Sequence, residues 1–100
     1  MQSENDIKKA VLAYMEARTD VFAWRQNTGV SRRHIRFGRN GAADITGILR
    51  GGRRLEIETK TATGKQSDAQ VEFQAEIERM GGLYILARSV EDVATALEGV

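Results

Sequence analysis

The stretch GAADITGILRGGRRLEIETK, residues 41–60, sets the architecture expected of this chain. Residues 43–49 and 55–60 are rich in the β-branched and other apolar side chains that favour strands. Gly51 and Gly52 stand between the two runs, and a glycine pair in that position is a hairpin signal. The centre of the fold is therefore predicted to be an antiparallel β-hairpin.

Side chains alternate along the second strand, so Glu56, Glu58 and Lys60 are expected to share one face. Charged groups beside a core are costly unless they are solvated, paired or bound to a metal. Asp44 lies at the start of the partner strand, and the register of the hairpin determines whether it joins them. The hairpin register is therefore the first question for function.

Two registers are compatible with the glycine pair. A two-residue turn places Asp44 opposite Thr59, on the apolar face. A three-residue loop that starts at Arg50, or a bulge near Gly47, places Asp44 beside Glu58. We favour the second register because it separates polar from apolar side chains, and it brings the two carboxylates together.

Helical periodicity predicts three helices around the strands. The first follows Ser3, with an inner stripe of Ile7, Val11, Tyr14 and Met15 and an outer face of Glu4, Lys8, Lys9 and Glu16. The second follows Ser67, with a buried stripe of Ala69, Phe73, Ile77 and Met80. The third follows Ser89, which has Asp92 at the capping-box spacing.

Further strands are predicted at residues 21–24, extending towards Asn27, and at the nearly all-apolar residues 83–87, with a short one at 34–37. Phe22 and Trp24 are expected to face the core, with stacking on bases as the alternative. The predicted order is α-β-β-β-α-β-α, in which a meander precedes a β-α-β crossover. The expected fold class is α/β, in the form of an α+β mixed sheet, as one domain over residues 1–100.

Composition excludes several function classes. The 100 residues include no cysteine and one histidine, which excludes disulfides, thiolate zinc sites and cysteine nucleophiles. No apolar run approaches the ~20 residues of a membrane span. We therefore expect no membrane partner and a cytoplasmic location.

The formal charge of +1 conceals an uneven distribution. Residues 1–50 hold 9 basic and 5 acidic side chains, and residues 51–100 hold 6 and 9. Residues 25–39 hold five arginines and one histidine and no acidic residue. Such a basic tract suits phosphate contacts, because arginine forks match phosphate geometry. The expected DNA-binding residues are this tract and one lysine of a later loop: Arg25, Arg32, Arg33, His34, Arg36, Arg39 and Lys65.

Two carboxylates and a lysine on adjacent strands suit metal-dependent phosphodiester hydrolysis. Hard carboxylate oxygens, completed by water and a phosphate, make an open Mg²⁺ site. A neighbouring lysine would orient or deprotonate the attacking water. The alternative is an exposed hairpin with a surface ion pair, worth under ~1 kcal/mol.

These residues also carry a family resemblance. An Asp followed by E-x-K on the next strand resembles the PD-(D/E)xK nuclease superfamily, and more closely the stand-alone virus-type replication-repair nuclease (VRR-NUC) domains of phages. The similar stretches are RQNTG at 25–29, FGRNGAADITGIL at 37–49, EIETKTATGKQSDAQ at 56–70 and GGLYILARSVEDV at 81–93. Ala43 stands where the superfamily has proline, a position that shapes backbone and supplies no ligand.

The resemblance implies a role for each site residue. Asp44 and Glu58 would hold Mg²⁺, for which Mn²⁺ would substitute, together with the backbone carbonyl of Thr59. Glu4 would reach the metal through water. Lys60 would be the catalytic lysine, and Gln70 would help hold it or the substrate.

The resemblance further implies an endonuclease acting on branched DNA, with Holliday-junction resolution as the leading activity and no small-molecule cofactor. Two symmetric cuts need two active sites, so a homodimer is expected. The alternatives are a less selective or restriction-like nuclease and a non-catalytic DNA-binding module of the same fold.

Overall fold

A computed structural model of the chain describes residues 2–26, 29–30, 36–37 and 39–100, the two short ranges by their backbone alone. In chain order, the elements within these ranges are α1 (Glu4–Ala17), β1 (Val21–Arg25), β2 (Gly29–Val30), β3 (Arg36–Phe37), β4 (Ile45–Leu49), β5 (Arg54–Thr59), α2 (Asp68–Arg79), β6 (Leu83–Ala87) and α3 (Val90–Leu97).

The main sheet has the strand order β1-β4-β5-β6. Strands β1, β4 and β5 form the antiparallel meander, and β6 pairs with β5 in parallel after the α2 crossover. The predicted mixed sheet with helices is confirmed, and the fold is a small α+β domain. Strand β3 lies within the short strand predicted at 34–37, whereas β2 was not predicted, and the two form a two-stranded sheet of their own.

The hairpin register is the one favoured from the sequence. Ile45 pairs with Ile57 and Thr46 with Glu56, which carries Asp44 to the level of Glu58. A three-residue loop follows Leu49, whose amide donates to the carbonyl of Arg53. Gly51 and Gly52 in this loop have φ of 94° and 96°, a conformation that glycine adopts at little cost.

The helices cover the two faces of the sheet unequally. Helices α1 and α3 pack on one face through Ile7, Val11, Met15, Val93 and Leu97, which are all buried. Helix α2 lies on the other face, where the ring of Phe73 meets that of Tyr84 at 6.5 Å between centroids. No α2 residue is fully buried, so this helix is a looser cover than the other two.

The predicted helix caps form. Ser3 with Asp6, and Ser67 with Gln70, make reciprocal capping boxes at the starts of α1 and α2. Ser89 accepts from the amide of Asp92, but the Asp92 carboxylate accepts from the amide of Arg88 rather than from that of Ser89.

Three expectations about burial are wrong. Phe22 and Trp24 are 68% and 42% exposed, because α2 does not extend over the β1 side of its sheet face. Met80 is 74% exposed, because it is the C-cap of α2 and the helix has already ended there.

Within the described ranges, no helix is both long and apolar enough to cross a membrane.

Candidate active site

Three carboxylates from three separate elements converge at one end of the sheet. Glu4 is the first residue of α1, Asp44 immediately precedes β4, and Glu58 is near the end of β5. One carboxylate oxygen from each lies within 4.8 Å of the others. Among the described residues, this is the one such group of three acidic, histidine or cysteine side chains.

Hydrogen bonds fix one oxygen of the Asp44 carboxylate. The backbone N–H and the hydroxyl of Thr59 both donate to Oδ2, each at 2.8 Å. The other oxygen, Oδ1, lies 3.3 Å from Nζ of Lys8 on α1. Asp44 is therefore held from β5 on one side and paired with a cation on the other.

Glu58 is buried, with 2% of its surface exposed. Its Oε2 accepts a hydrogen bond of 3.0 Å from Nε2 of Gln70 and lies 3.9 Å from Nζ of Lys60. Its Oε1 is buried and has no hydrogen-bond partner among the described atoms. A buried carboxylate oxygen without a donor is costly, which favours a ligand at that oxygen.

The capping box of α2 positions Gln70. Oε1 of its amide accepts from the N–H of Ser67 at 2.8 Å, so the amide group is oriented with Nε2 towards Glu58. From the sequence, Gln70 was expected to help hold Lys60 or the substrate. In the structure the partner of Gln70 is Glu58.

Glu58 has an unusual proton affinity. Burial, followed by the negative charge of Asp44, raises the pKa of Glu58 from 4.5 to about 8, against the lowering effect of Lys60. Burial and the charge of Glu58 also raise the pKa of Tyr84 on the neighbouring strand above its ordinary range. Without a cation, the site therefore retains a proton at neutral pH.

The donor set fits a hard divalent cation. Opposite ligands of an octahedral Mg²⁺ are separated by about 4.2 Å, so carboxylate oxygens within 4.8 Å of one another need to move little. The unpartnered Oε1 of Glu58 adds a free ligand atom. Sulfur and imidazole ligands are absent from this group, so Mg²⁺ or Mn²⁺ suits it better than Zn²⁺.

The predicted catalytic lysine lies at the site. Lys60 directly follows β5, is 12% exposed, and shares the face of Glu58. The loop after it is held by Arg88, whose Nη1 donates to the carbonyls of Thr61 and Gly64. The Thr59 amide and hydroxyl contact Asp44, and the role of the Thr59 carbonyl as a ligand stays a prediction.

The other buried acid of β5, Glu56, shares the face of Glu58 but bonds to residues of the hairpin. It is fully buried, and its Oε2 accepts from the hydroxyl of Thr46 and, at 3.0 Å, from Nε of Arg54. These contacts account for Oε2 of Glu56, whereas its Oε1, like that of Glu58, is buried without a hydrogen-bond partner among the described atoms.

The predicted DNA-binding residues are only partly described. Arg25 and Lys65 are exposed, at the end of β1 and in the loop before α2. Arg39 is exposed and, together with Glu72 and Glu76 of α2, lines a cavity of about 710 Å³. Arg32, Arg33 and His34 lie outside the described residues, as does the side chain of Arg36.

Two residues near the site, Lys8 and Arg88, were not predicted from the sequence. Lys8 was expected on the solvent face of α1, together with Glu4, but both are half-buried. A signal was available, because Lys8 follows Glu4 by four residues and so lies on the same side of the helix. Arg88 carried no such signal, since its partners are carbonyls of a loop more than 20 residues away.

Among the comparisons with known proteins, the one with solved structures finds a likeness. No family model matches the chain, and no curated protein matches it. A solved structure described as a VRR_NUC domain has the same fold, with a TM-score of 0.72, 20% sequence identity, and 99% of this chain and 98% of that chain covered. The resemblance drawn from the sequence is confirmed at the level of the fold.

Proposed function

We propose that this chain is a divalent-metal-dependent DNA endonuclease. The observation that carries the proposal is the convergence of Glu4, Asp44 and Glu58 beside Lys60. It is supported by the likeness of the fold to that of a VRR_NUC domain. Oε1 of Glu58 is buried without a donor, and a cation bound by the group would satisfy it.

Asp44 and Glu58 would hold Mg²⁺ or Mn²⁺, with the carbonyl of Thr59 as a further ligand and Glu4 acting through water. The cation, when bound, supplies charge neutralisation at the phosphate and promotes ionisation of water. Thr59 keeps the Asp44 carboxylate in one orientation through its two hydrogen bonds. Gln70 does the same for Glu58 through Oε2.

Lys60 would orient the attacking water and stabilise the developing charge, as its partly buried ammonium beside Glu58 permits. The water oxygen forms a bond to phosphorus while the bond to the 3′ oxygen breaks. A proton passes to that leaving oxygen, so the products are a 5′-phosphate and a 3′-hydroxyl. Arg25, Lys65 and the basic tract would bind flanking phosphates.

The proposed substrate is branched DNA, with the four-way junction foremost, and the proposed active form is a homodimer. One chain offers one group of this kind among its described residues, and two symmetric cuts require two. Exposed apolar side chains of Phe22, Trp24 and Ile48 support a second copy as a partner. Phe22 lies directly opposite Ile48 across β1 and β4, and its ring centroid is 5.0 Å from that of Trp24.

Substrate choice is tested by comparing a four-way junction, a flap and a linear duplex of matched sequence in Mg²⁺. We expect the junction to be cut in preference to the others, and Asp44→Asn to cut none of them. Equal cleavage of all three would support the less selective nuclease instead. Junction binding without cleavage by the wild-type protein would support the non-catalytic module.

A further inference from the structure

Lys8 is the one cation that contacts the Asp44 carboxylate among the described residues. The buried stripe Ile7, Val11 and Met15 fixes the rotation of α1 against the sheet. This rotation carries Glu4 and Lys8, one helical turn apart, to the edge that faces the site. Nζ of Lys8 is 3.3 Å from Oδ1 of Asp44, and the two side chains are 21% and 18% exposed.

The contact occupies the oxygen that a metal needs. Oδ2 of Asp44 already accepts two hydrogen bonds from Thr59, so Oδ1 is the oxygen left for a cation. An ammonium carries three donors and no acceptor, so it cannot share in ligation. Lys8 and a divalent cation would therefore compete for the same oxygen.

The charge balance leads to the same conclusion. Three carboxylates are grouped here, and two ammonium groups accompany them, Lys8 on Asp44 and Lys60 on Glu58. Removal of the Lys8 charge would leave the group more negative by one unit and thus more attractive to a divalent cation. Lys60 cannot replace Lys8, because it is paired with the other acid.

We propose that Lys8 is a resident counter-cation of the site: it neutralises Asp44 in the metal-free protein, and a divalent cation must displace it from Oδ1. Lys8 thereby weakens metal binding and is a positioning residue, since it acts through Asp44. The inference rests on the proposed function, because it assumes that the carboxylate group binds a metal.

The test measures Mn²⁺ affinity by titration calorimetry, or by the electron paramagnetic resonance of free Mn²⁺, in the full chain without DNA. The variant is Lys8→Met, which keeps the unbranched stem and the helix propensity. Lys9→Met is the matched control, since Lys9 is the next residue on the same helix and is exposed. We expect Lys8→Met to bind Mn²⁺ about three- to tenfold more tightly, a range discounted for partial exposure, and Lys9→Met to match the wild type.

The melting temperature is a second measurement, which distinguishes a change in Mn²⁺ affinity from a folding defect. Mn²⁺ should raise the melting temperature of Lys8→Met more than that of the wild type at the same concentration, because tighter binding gives a larger stabilisation. Lys8→Arg keeps the charge and should keep the weak affinity of the wild type. A gain in affinity for Lys8→Arg equal to that of Lys8→Met would overturn the inference.

The outcomes separate this inference from the proposed function. If Lys8→Met binds Mn²⁺ no more tightly than the wild type, or less tightly, Lys8 is not a competitor, and the metal site itself still stands. If neither protein binds Mn²⁺, the metal site is wrong, and this inference is wrong with it. Mn²⁺ binding gained only in Lys8→Met would support the competition directly.

Discussion

Thr59 donates two hydrogen bonds, one from its backbone amide and one from its hydroxyl, to the same oxygen of Asp44. The amide belongs to the last residue of β5, and Asp44 immediately precedes β4. The hairpin register thus determines the orientation of this carboxylate before any cation arrives. Such outer contacts to a ligand commonly govern metal affinity, because they reduce the reorganisation that binding requires.

Thr59→Val should weaken metal binding while leaving the strand intact. Valine has nearly the same shape and favours strands, but it cannot supply the hydroxyl donor to Asp44. We expect Mn²⁺ affinity to fall about tenfold, as measured by calorimetry. Thr59→Ser keeps the hydroxyl and should stay closer to the wild type. Equal affinity in Thr59→Val and the wild type would show that the hydroxyl does not position Asp44.

The stability of the metal-free protein should depend on the protonation of Glu58. The pKa of Glu58 is about 8 in the fold, against 4.5 as its ordinary value, so the folded state binds a proton more strongly than the unfolded state. The stabilisation is complete below pH 4.5 and is lost as pH rises through about 8. Melting temperatures measured in EDTA should therefore fall by several degrees between about pH 5 and pH 8.

Glu58→Gln supplies the control for this pH profile. It removes the titrating group, so its melting temperature should change much less across the same interval. The acids Glu4 and Asp44, the lysines Lys8 and Lys60, and Tyr84 stay in place around it. Asp20, whose pKa Arg18 lowers to about 2, titrates well below this window. Parallel profiles for the wild type and Glu58→Gln would contradict the proposed titration.

Gln70→Met should impair the site through Glu58. Methionine preserves the length of the side chain and the helix propensity but removes both the Nε2 donor to Oε2 of Glu58 and the Oε1 acceptor of the Ser67 N–H, so a melting curve must first show that α2 is intact. Nuclease activity in Mg²⁺ should fall about tenfold or more, with a weaker apparent affinity for the metal. Gln74→Met is the matched control, because Gln74 lies one turn further along α2 and bonds to Gln66. Equal losses in both variants would point to a general effect on α2.

Much of this fold follows from local sequence signals. Alternation along β5, the glycines of the loop and the serine caps each depend on neighbouring residues, and the structure has them as predicted. The register could be chosen because the wrong one would have placed Asp44 on the apolar face. Which side chains are buried on the α2 face could not be predicted, because the exposure of Phe22 and Met80 depends on where that helix lies and ends.

The site was predictable to a smaller extent. The proximity of Asp44, Glu58 and Lys60 followed from strand geometry alone, and Glu4 came from the family resemblance. The contact of Lys8 with Asp44 depends on how α1 is rotated on the sheet, which periodicity gives only approximately. The raised pKa of Glu58 depends on complete burial by several elements together, which no single stretch encodes.

The homodimer is tested by mass and by substitution. Light scattering of the wild-type protein at micromolar concentration should give about twice the chain mass of 11.1 kDa. Phe22→Arg places a charge in the exposed apolar patch and should shift the protein towards the monomer. Met80→Arg is the control, because Met80 is 74% exposed at the far end of α2 and outside that patch. A wild-type mass of 11.1 kDa would contradict the dimer.

The most direct test of the central claim is four-way-junction cleavage by the wild type and by Lys60→Ala, each with Mg²⁺ and with EDTA. We predict cleavage only by the wild type in Mg²⁺, with junction binding retained by Lys60→Ala in a gel-shift assay. Cleavage by the wild type in EDTA, or undiminished cleavage by Lys60→Ala in Mg²⁺, would contradict the assignment of Asp44, Glu58 and Lys60 as a metal-dependent nuclease site.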